Sequence, residues 1–380
     1  MEGIMRRLGA LLAALVAGAA GAAAEPARIG IMLPLSGGSS IAGQEVLSGV
    51  KLALEEANAK GGLFGAPIQV FTEDDEASPT KATTAVRKLI EGDKVCAIVG
   101  TYVSGVALAA MKISRDYKVP MSSGGSTAVM VTDANEPGNP WFFRAFPGSD
   151  VQGRQSAVDT VEVLKKKKVA IIHDNSNYGT SLADVFKQIV LGAKGEVVAV
   201  DTYNTGEQDF SPILTKLRAL RPEAVYIGGL VGEGATIVRQ AAEVGLRTQF
   251  IGSGSMMTDK FIELTGPAAE GFAVSSMFEP DTPNPVGKAF AERYKAKYGI
   301  NANVHSALGY DSMSITIEAT RRAGKCEGPA IRDTLATRMA DFPLVQGPPG
   351  TTAKYDAKGG VDFLIGLAVV KNGKRSLVTY

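Results

Sequence analysis

Seven short segments of the chain are almost continuously apolar: residues 29–33, 68–71, 95–99, 169–172, 197–200, 224–227 and 250–251. Runs of this kind, without polar alternation, predict strands whose two faces are both covered. Between them lie stretches with helical spacing of apolar positions, at 46–59, 80–90, 104–116, 178–191, 210–220 and 234–244. Strand and helix in alternation predict an α/β protein with parallel sheets and crossover helices. In such open sheets, ligands bind beyond the carboxyl ends of the strands.

The alternation breaks twice. It pauses at Pro137-Gly138-Asn139-Pro140, where the extended apolar piece 142–146 reads as a first crossing into a second α/β unit. It breaks again at Glu279-Pro280-Asp281-Thr282-Pro283-Asn284-Pro285, a segment rich in helix breakers. Helices near 286–298, 305–323 and 329–339 follow a complete second unit, so the chain is expected to return to its first domain. The tail, 353–371, alternates like antiparallel strands, and Asn372-Gly373 is a hairpin signal. No period of repeat-protein length is present.

Residues 1–24 read as a secretory leader. Arg6 and Arg7 precede an apolar stretch over 8–20, and Ala22-Ala23-Ala24 supplies the small side chains of a cleavage site. The apolar run is shorter than the roughly 20 residues that span a bilayer. Cleavage after Ala24, with no cysteine near the cut, predicts a chain free in a periplasm-like space. Loss of Arg6, Arg7 and Glu2 changes the formal charge from +1 to zero, which is no footprint for nucleic acid or an anionic membrane. Length and 45% hydrophobic content suffice for two cores. Cys96 and Cys326 are too far apart for a disulfide framework or a zinc site. Cys96, inside an apolar run, reads first as a small buried hydrophobe; a bridge is the alternative that an oxidising compartment allows.

Enzyme signatures are sparse. His173 and His305 have no second ligand at metal spacing, and His173 reads as a hydrogen-bonded structural residue beside Asp174. The segment 124–128 lacks the final glycine of a nucleophile elbow, and 228–234 lacks dinucleotide-loop spacing. Glu73-Asp74-Asp75-Glu76 lacks the regular spacing of a calcium loop, and the lysines at 165–168 read as a solvated helix end. A secreted hydrolase or oxidoreductase is therefore disfavoured, and no metal or cofactor is expected. Two loops are better candidates. Ser104 opens a helix after a strand, and Ser122-Ser123-Gly124-Gly125-Ser126-Thr127 follows another strand with small hydroxylated residues. Neighbouring, the two loops could share a carboxylate among hydroxyls and free N–H groups.

The opening IGIMLPLSG (29–37) and GVKLALEEANAKGG (49–62), followed in order by HDNSNYGTSLAD (173–184), TGEQDFSPIL (205–214), RQAAEVGLRTQFIG (239–252) and GYDSM (309–313), resemble the branched-chain amino-acid type of periplasmic binding protein of ABC transporters. The resemblance spans the chain beyond the leader. It implies two doubly wound parallel-sheet lobes joined by three crossings, 25–146 with 278–350 and 147–277 with 351–380. It also implies a ligand trapped by hinge closure, delivery to a membrane permease, a monomer, and no covalent chemistry. On the matching positions it implies that Tyr102, Ser104, Gly124, Gly125, Ser126 and Thr127 meet the ligand, its carboxylate lying on Ser104 and 124–126, and that Tyr178 closes over it from the second lobe. Three positions depart from the pattern: Ala42 and Leu230 stand where aromatic side chains are expected, and Gly254 where an acidic residue pairs with the ligand's ammonium. A buried ammonium without a partner is costly. The expected ligand is thus an aromatic or branched organic acid without an α-ammonium, with a branched-chain amino acid or small amide as the alternative. A role as the sensing subunit of a receptor is a third reading.

Overall fold

The computed structural model describes residues 25–379; the leader expected at 1–24 lies outside the described residues. The first lobe opens with β1 (Arg28–Leu33), α1 (Ser40–Ala59), β2 (Gln69–Asp74), α2 (Pro79–Arg87), β3 (Ala97–Gly100), α3 (Ser104–Asp116), β4 (Met121–Ser122), α4 (Val129–Asp133) and β5 (Phe142–Phe143). The second follows with α5 (Ser149–Val158), β6 (Lys168–Asp174), α6 (Asn177–Gly192), β7 (Glu196–Tyr203), α7 (Ser211–Leu220), β8 (Ala224–Gly228), α8 (Val231–Glu243), β9 (Gln249–Gly252), α9 (Asp259–Thr265) and β10 (Ala273–Ser276). Then come α10 (Pro285–Tyr298), α11 (Val304–Ala323), α12 (Gly328–Thr337), β11 (Gly366–Lys371) and β12 (Lys374–Thr379).

The strands form two sheets, ordered β2-β1-β3-β4-β5 and β12-β11-β10-β9-β8-β6-β7. All neighbours in the first are parallel, as are β10-β9-β8-β6-β7 in the second. Both lobes therefore share one doubly wound order, which reverses beside the first strand of each and opens a crevice at the strands' carboxyl ends. Apolar side chains do cover both faces of the central strands. Ile29, Ile31 and Leu33 of β1 enter one cluster and Met32 another; Ala170 and Ile172 of β6 enter one and Val169 and Ile171 the opposite one. At β2 and β7, expected to be covered equally, most residues are partly exposed because these are edge strands.

Helices α10–α12 return to the first lobe as expected. The contact between α1 and α11 is backbone on backbone: a Cβ on Gly49 would collide with the Ser306 carbonyl, and one on Gly309 with the Val46 carbonyl. Two sequence expectations need correction. Cys96 is not a lone buried hydrophobe but is bonded to Cys326, the Cα atoms 5.4 Å apart, because α11 and the turn after it pack against the foot of β3. The tail is not extended strand from residue 353. Residues 353–361 lie against the first lobe, where Arg144 N donates to Gly359 O (2.8 Å) and Val361 N to Arg144 O (3.0 Å). Only at Gly366 does the chain join the second sheet, and Asn372 and Gly373, both at positive φ, then turn the hairpin. The chain thus stays with the first lobe past the expected boundary at 350, through the Arg144–Gly360 bridge, and joins the second sheet at Gly366.

The three passages between the lobes meet. Phe146, Met277 and Ile365, one from each, form a single apolar cluster with Val304 and Leu308 of α11. Beside it Arg375 of β12 reaches Glu279 (3.0 Å), Asp259 (2.8 Å) and the Ala302 carbonyl (3.0 Å), so charged groups of both lobes join at the second passage.

Candidate functional site

A cavity of about 280 Å³ lies where the carboxyl ends of the two sheets face each other. Of the positions singled out from sequence, Tyr102, Ser104, Gly125, Thr127, Tyr178 and Leu230 line it; Ala42, Gly124, Ser126 and Gly254 do not.

The first lobe supplies hydroxyls in an apolar setting. Val103, not Ser104, occupies the cap position of α3 and offers no capping side chain, so Ser104 is the first helical residue. Its Oγ accepts from Ala128 N (3.1 Å), joining the two serine-bearing loops as expected and leaving the hydroxyl proton free to donate. Thr127 Oγ1 is buried and has no protein partner, whereas the Thr127 carbonyl accepts from Arg144 Nη1 (2.9 Å) and Ser149 N (2.8 Å). Those bonds fix the residue against the first crossing. Gly125 has no alternative: a Cβ there would collide with the Tyr102 ring. Ser126 was expected to face the ligand, but its hydroxyl is turned inward, bonded to the Thr101 carbonyl (3.0 Å), and its amide donates to Ser123 Oγ (2.9 Å). Gly124 sits behind it, close to Leu33 and Val46.

Tyr102 anchors a chain of polar groups. Its hydroxyl lies 3.0 Å from His305 Nε2, the rings meet edge to face, and His305 Nδ1 lies 2.6 Å from Glu45 Oε2. Burial pushes the Tyr102 phenol well above its ordinary value. The start of α11 is set by a reciprocal capping pair, Asn303 with Ser306, and this places Val304, His305 and Leu308 on the wall. Ala42 lies in the same apolar cluster as Tyr102, and Leu230 of the second lobe packs against that cluster. The space expected beside Ala42 is thus narrowed by Tyr102 and Leu230.

The second lobe contributes Asp174, Ser176, Tyr178, Leu230 and Ser255. Ser176 caps α6, its Oγ accepting from Gly179 N (3.2 Å) while donating to Asp174 Oδ1, which also accepts from Ser176 N (2.9 Å). Asp174 Oδ2 has no protein hydrogen bond among the described residues. Burial raises the Asp174 carboxyl above its ordinary range, and Glu233 adds to this. Burial pushes the Tyr178 phenol up to about 12. The expectation of a cleft without negative charge is therefore corrected: Gly254 carries none, but Asp174, at the end of β6, does. His173 is the structural residue expected, with Nδ1 2.8 Å from the Asp174 carbonyl and Nε2 3.0 Å from Thr202 Oγ1. A Cβ on Gly254 would lie 3.2 Å from the Ser275 carbonyl and 3.5 Å from Gln152 Oε1, and Gln152 is on the wall. Among the described residues no Lys or Arg lines the cavity. Among the described residues no cluster of three His, Cys, Asp or Glu side chains could hold a metal ion.

Sequence reasoning missed Asp174, His305, Gln152 and Met277 as wall residues. Asp174 carried a usable signal, as the last residue of a strand two positions before a helix cap. The other three reach the cavity from distant segments, and nothing near them in sequence marks them.

Comparison with known proteins agrees with this architecture. The sequence profile of the family described as "Periplasmic binding protein" matches residues 26–374. The Leu/Ile/Val-binding protein homolog 2 of Brucella abortus is 31% identical over 331 residues, 87% of this chain and 86% of that one. The branched-chain amino acid transporter substrate binding protein LivJ of Streptococcus pneumoniae, solved in complex with isoleucine, superposes with a TM-score of 0.85 at 28% identity, covering 94% of this chain and all of that one. A solute binding protein of R. palustris, solved in complex with benzoate, shares the fold (TM-score 0.83, 24% identity, 93% and 96% coverage). A profile match over nearly all described residues, a relative above 30% identity and two like-wound lobes around one cavity have a single reading: the chain belongs to the periplasmic binding protein family.

Proposed function

We propose that the chain, exported and freed of residues 1–24, captures a small carboxylate-bearing ligand by closure of its two lobes and delivers it to an ABC permease. The favoured ligand is an aromatic or branched organic acid without an α-ammonium. The observation that carries the carboxylate is Thr127 Oγ1, buried on the wall without a partner beside the Ser104 hydroxyl. Two neutral donors in a water-poor site favour an anion strongly, since hydrogen bonds to a charged group are worth roughly twice neutral ones. Val103, Leu230, Met277, Val304 and Leu308 offer the apolar body its contacts. Gly254 itself supplies no counter-charge for an ammonium. A branched-chain amino acid is the second reading, and Asp174 favours it as a carboxylate that could face the positive end.

Thermal shift and calorimetry with benzoate, 4-methyl-2-oxopentanoate, leucine, isoleucine and valine test the proposal, because a ligand that binds only the folded form raises its melting temperature. Stabilisation by the two acids and little by the amino acids is the expected result. Tight leucine binding with no response to either acid would overturn it in favour of the second reading.

A further inference from the structure

Resting on the carboxylate reading above, the geometry points to Asp174 as a residue that selects for a hydroxyl group on the ligand, so that the ligand class is a hydroxylated carboxylic acid. Asp174 is 3% exposed and lies on the lobe opposite Ser104 and Thr127, on the same cavity wall as Tyr178 and Leu230. One of its oxygens is fully engaged: Oδ1 takes both the amide and the hydroxyl of Ser176. The other, Oδ2, takes no protein donor among the described residues, and Asp174 lines the cavity. That oxygen is therefore available to accept from whatever occupies the cavity.

The neighbouring groups decide which donor. The Ser176 hydroxyl is saturated between Asp174 and Gly179 N, and the Ser253 and Ser255 hydroxyls both point at the Gly229 carbonyl (2.6 and 2.9 Å). Asp174 Oδ2 is thus the carboxylate oxygen on this wall that is left to an occupant. A hydroxyl brings one proton to that one oxygen, whereas an ammonium brings three N–H groups and needs further acceptors from the hydroxyls around it. Tyr203 supports the same reading. Its hydroxyl is buried without a partner and lies over Gly229, whose Cα also faces Asp174 Oδ2, so this corner of the second lobe is polar and incomplete on its own.

Matched acids test the assignment by calorimetry on the full exported chain: benzoate against 3- and 4-hydroxybenzoate and their methoxy counterparts, and 4-methylpentanoate against 2-hydroxy-4-methylpentanoate. A hydroxylated member should bind about tenfold to a hundredfold more tightly than its parent, the range for a hydrogen bond to a charged group. The methoxy acid, which cannot donate, should lose that gain. In Asp174→Asn, which keeps an oxygen for the Ser176 amide but puts an NH₂ in place of Oδ2, the hydroxyl advantage should collapse and the methoxy acid should draw level. Should the variant fail to fold, the wild-type pairs alone decide. Equal affinity within every pair would overturn the hydroxyl assignment and leave the carboxylate reading intact. Binding of leucine but of none of the acids would overturn both.

Discussion

Cys96 and Cys326 are bonded to each other across 230 residues of sequence, one at the foot of β3 and the other in the turn between α11 and α12. The bond ties the returning helices to the sheet they cover, at the end of the strands remote from the cavity. Replacing both cysteines by serine should cost about 2–5 kcal/mol of stability, as a long closed loop gains freedom in the unfolded chain. Ligand affinity at 25 °C should stay within twofold. Denaturant titration and calorimetry on the double variant check the two halves; a large loss of affinity would mean that the bond shapes the cleft.

Thr127→Val removes a buried hydroxyl that has no protein partner. The ligand-free protein should melt at the same temperature or higher, because no hydrogen bond is lost and an unpaired polar atom disappears. Affinity for a carboxylate ligand should fall by about 1–3 kcal/mol. Opposite signs in the two measurements separate a ligand-facing hydroxyl from an ordinary core residue.

Gly254→Glu should move preference from organic acids toward leucine. A Cβ there meets the Ser275 carbonyl closely but at a distance a few tenths of an ångström of movement relieves, and the side chain would extend beside Gln152 on the wall. Competition calorimetry that finds no gain for leucine in a folded variant would locate the counter-charge elsewhere.

Leu230 reaches across from the second lobe to the cluster around Tyr102, a contact that needs the lobes together. Leu230→Ala should speed ligand release more than it slows capture, since most losses at an interface appear in the off-rate. Stopped-flow measurement of both rates checks this, with small-angle scattering expected to record compaction on ligand addition in the parent protein.

Asp311 gives the pH dependence. Wholly buried in α11, it accepts from Val345 N (3.0 Å) and Gln346 Nε2 (3.0 Å), and burial raises its carboxyl from an ordinary 3.8 to about 7. The folded chain therefore holds a proton that the unfolded chain releases between about pH 4 and 7. Its contribution is fully present below pH 4, declines through that window and is absent above 7. Gln346 Oε1 is buried and unpaired. In Asp311→Asn the amide can donate to that oxygen once the Gln346 amide turns over. The variant should melt higher than the parent at pH 8 and show a flatter profile from pH 4 to 7; a lower melting temperature at pH 8 would mean that the ionised form is the one the fold requires.

How far sequence reached depended on whether the signal was local. The split of Ile29, Ile31 and Leu33 from Met32 onto opposite faces follows from period two, and the apolar run around them already implied cover on both sides. Ser104 and Thr127 were legible because both stand in short loops that leave the carboxyl ends of strands, the end at which such sheets bind ligands. Ser126 looked the same in sequence, and only the turn of the backbone sends its hydroxyl inward to Thr101. His305 and Gln152 had no such sign. Each arrives from a segment far along the chain, and the same holds for the distance between two cysteines.

Met277, Val304 and Leu308 belong both to the cluster where the three crossings meet and to the cavity wall. An occupant consequently rests on the axle of the molecule as well as between its jaws. Extra bulk on that side would act as a wedge and alter the angle at which the jaws come to rest, while bulk toward Asp174 would alter only the grip. Two ligands held equally tightly could thus present different outlines to whatever touches both lobes at once.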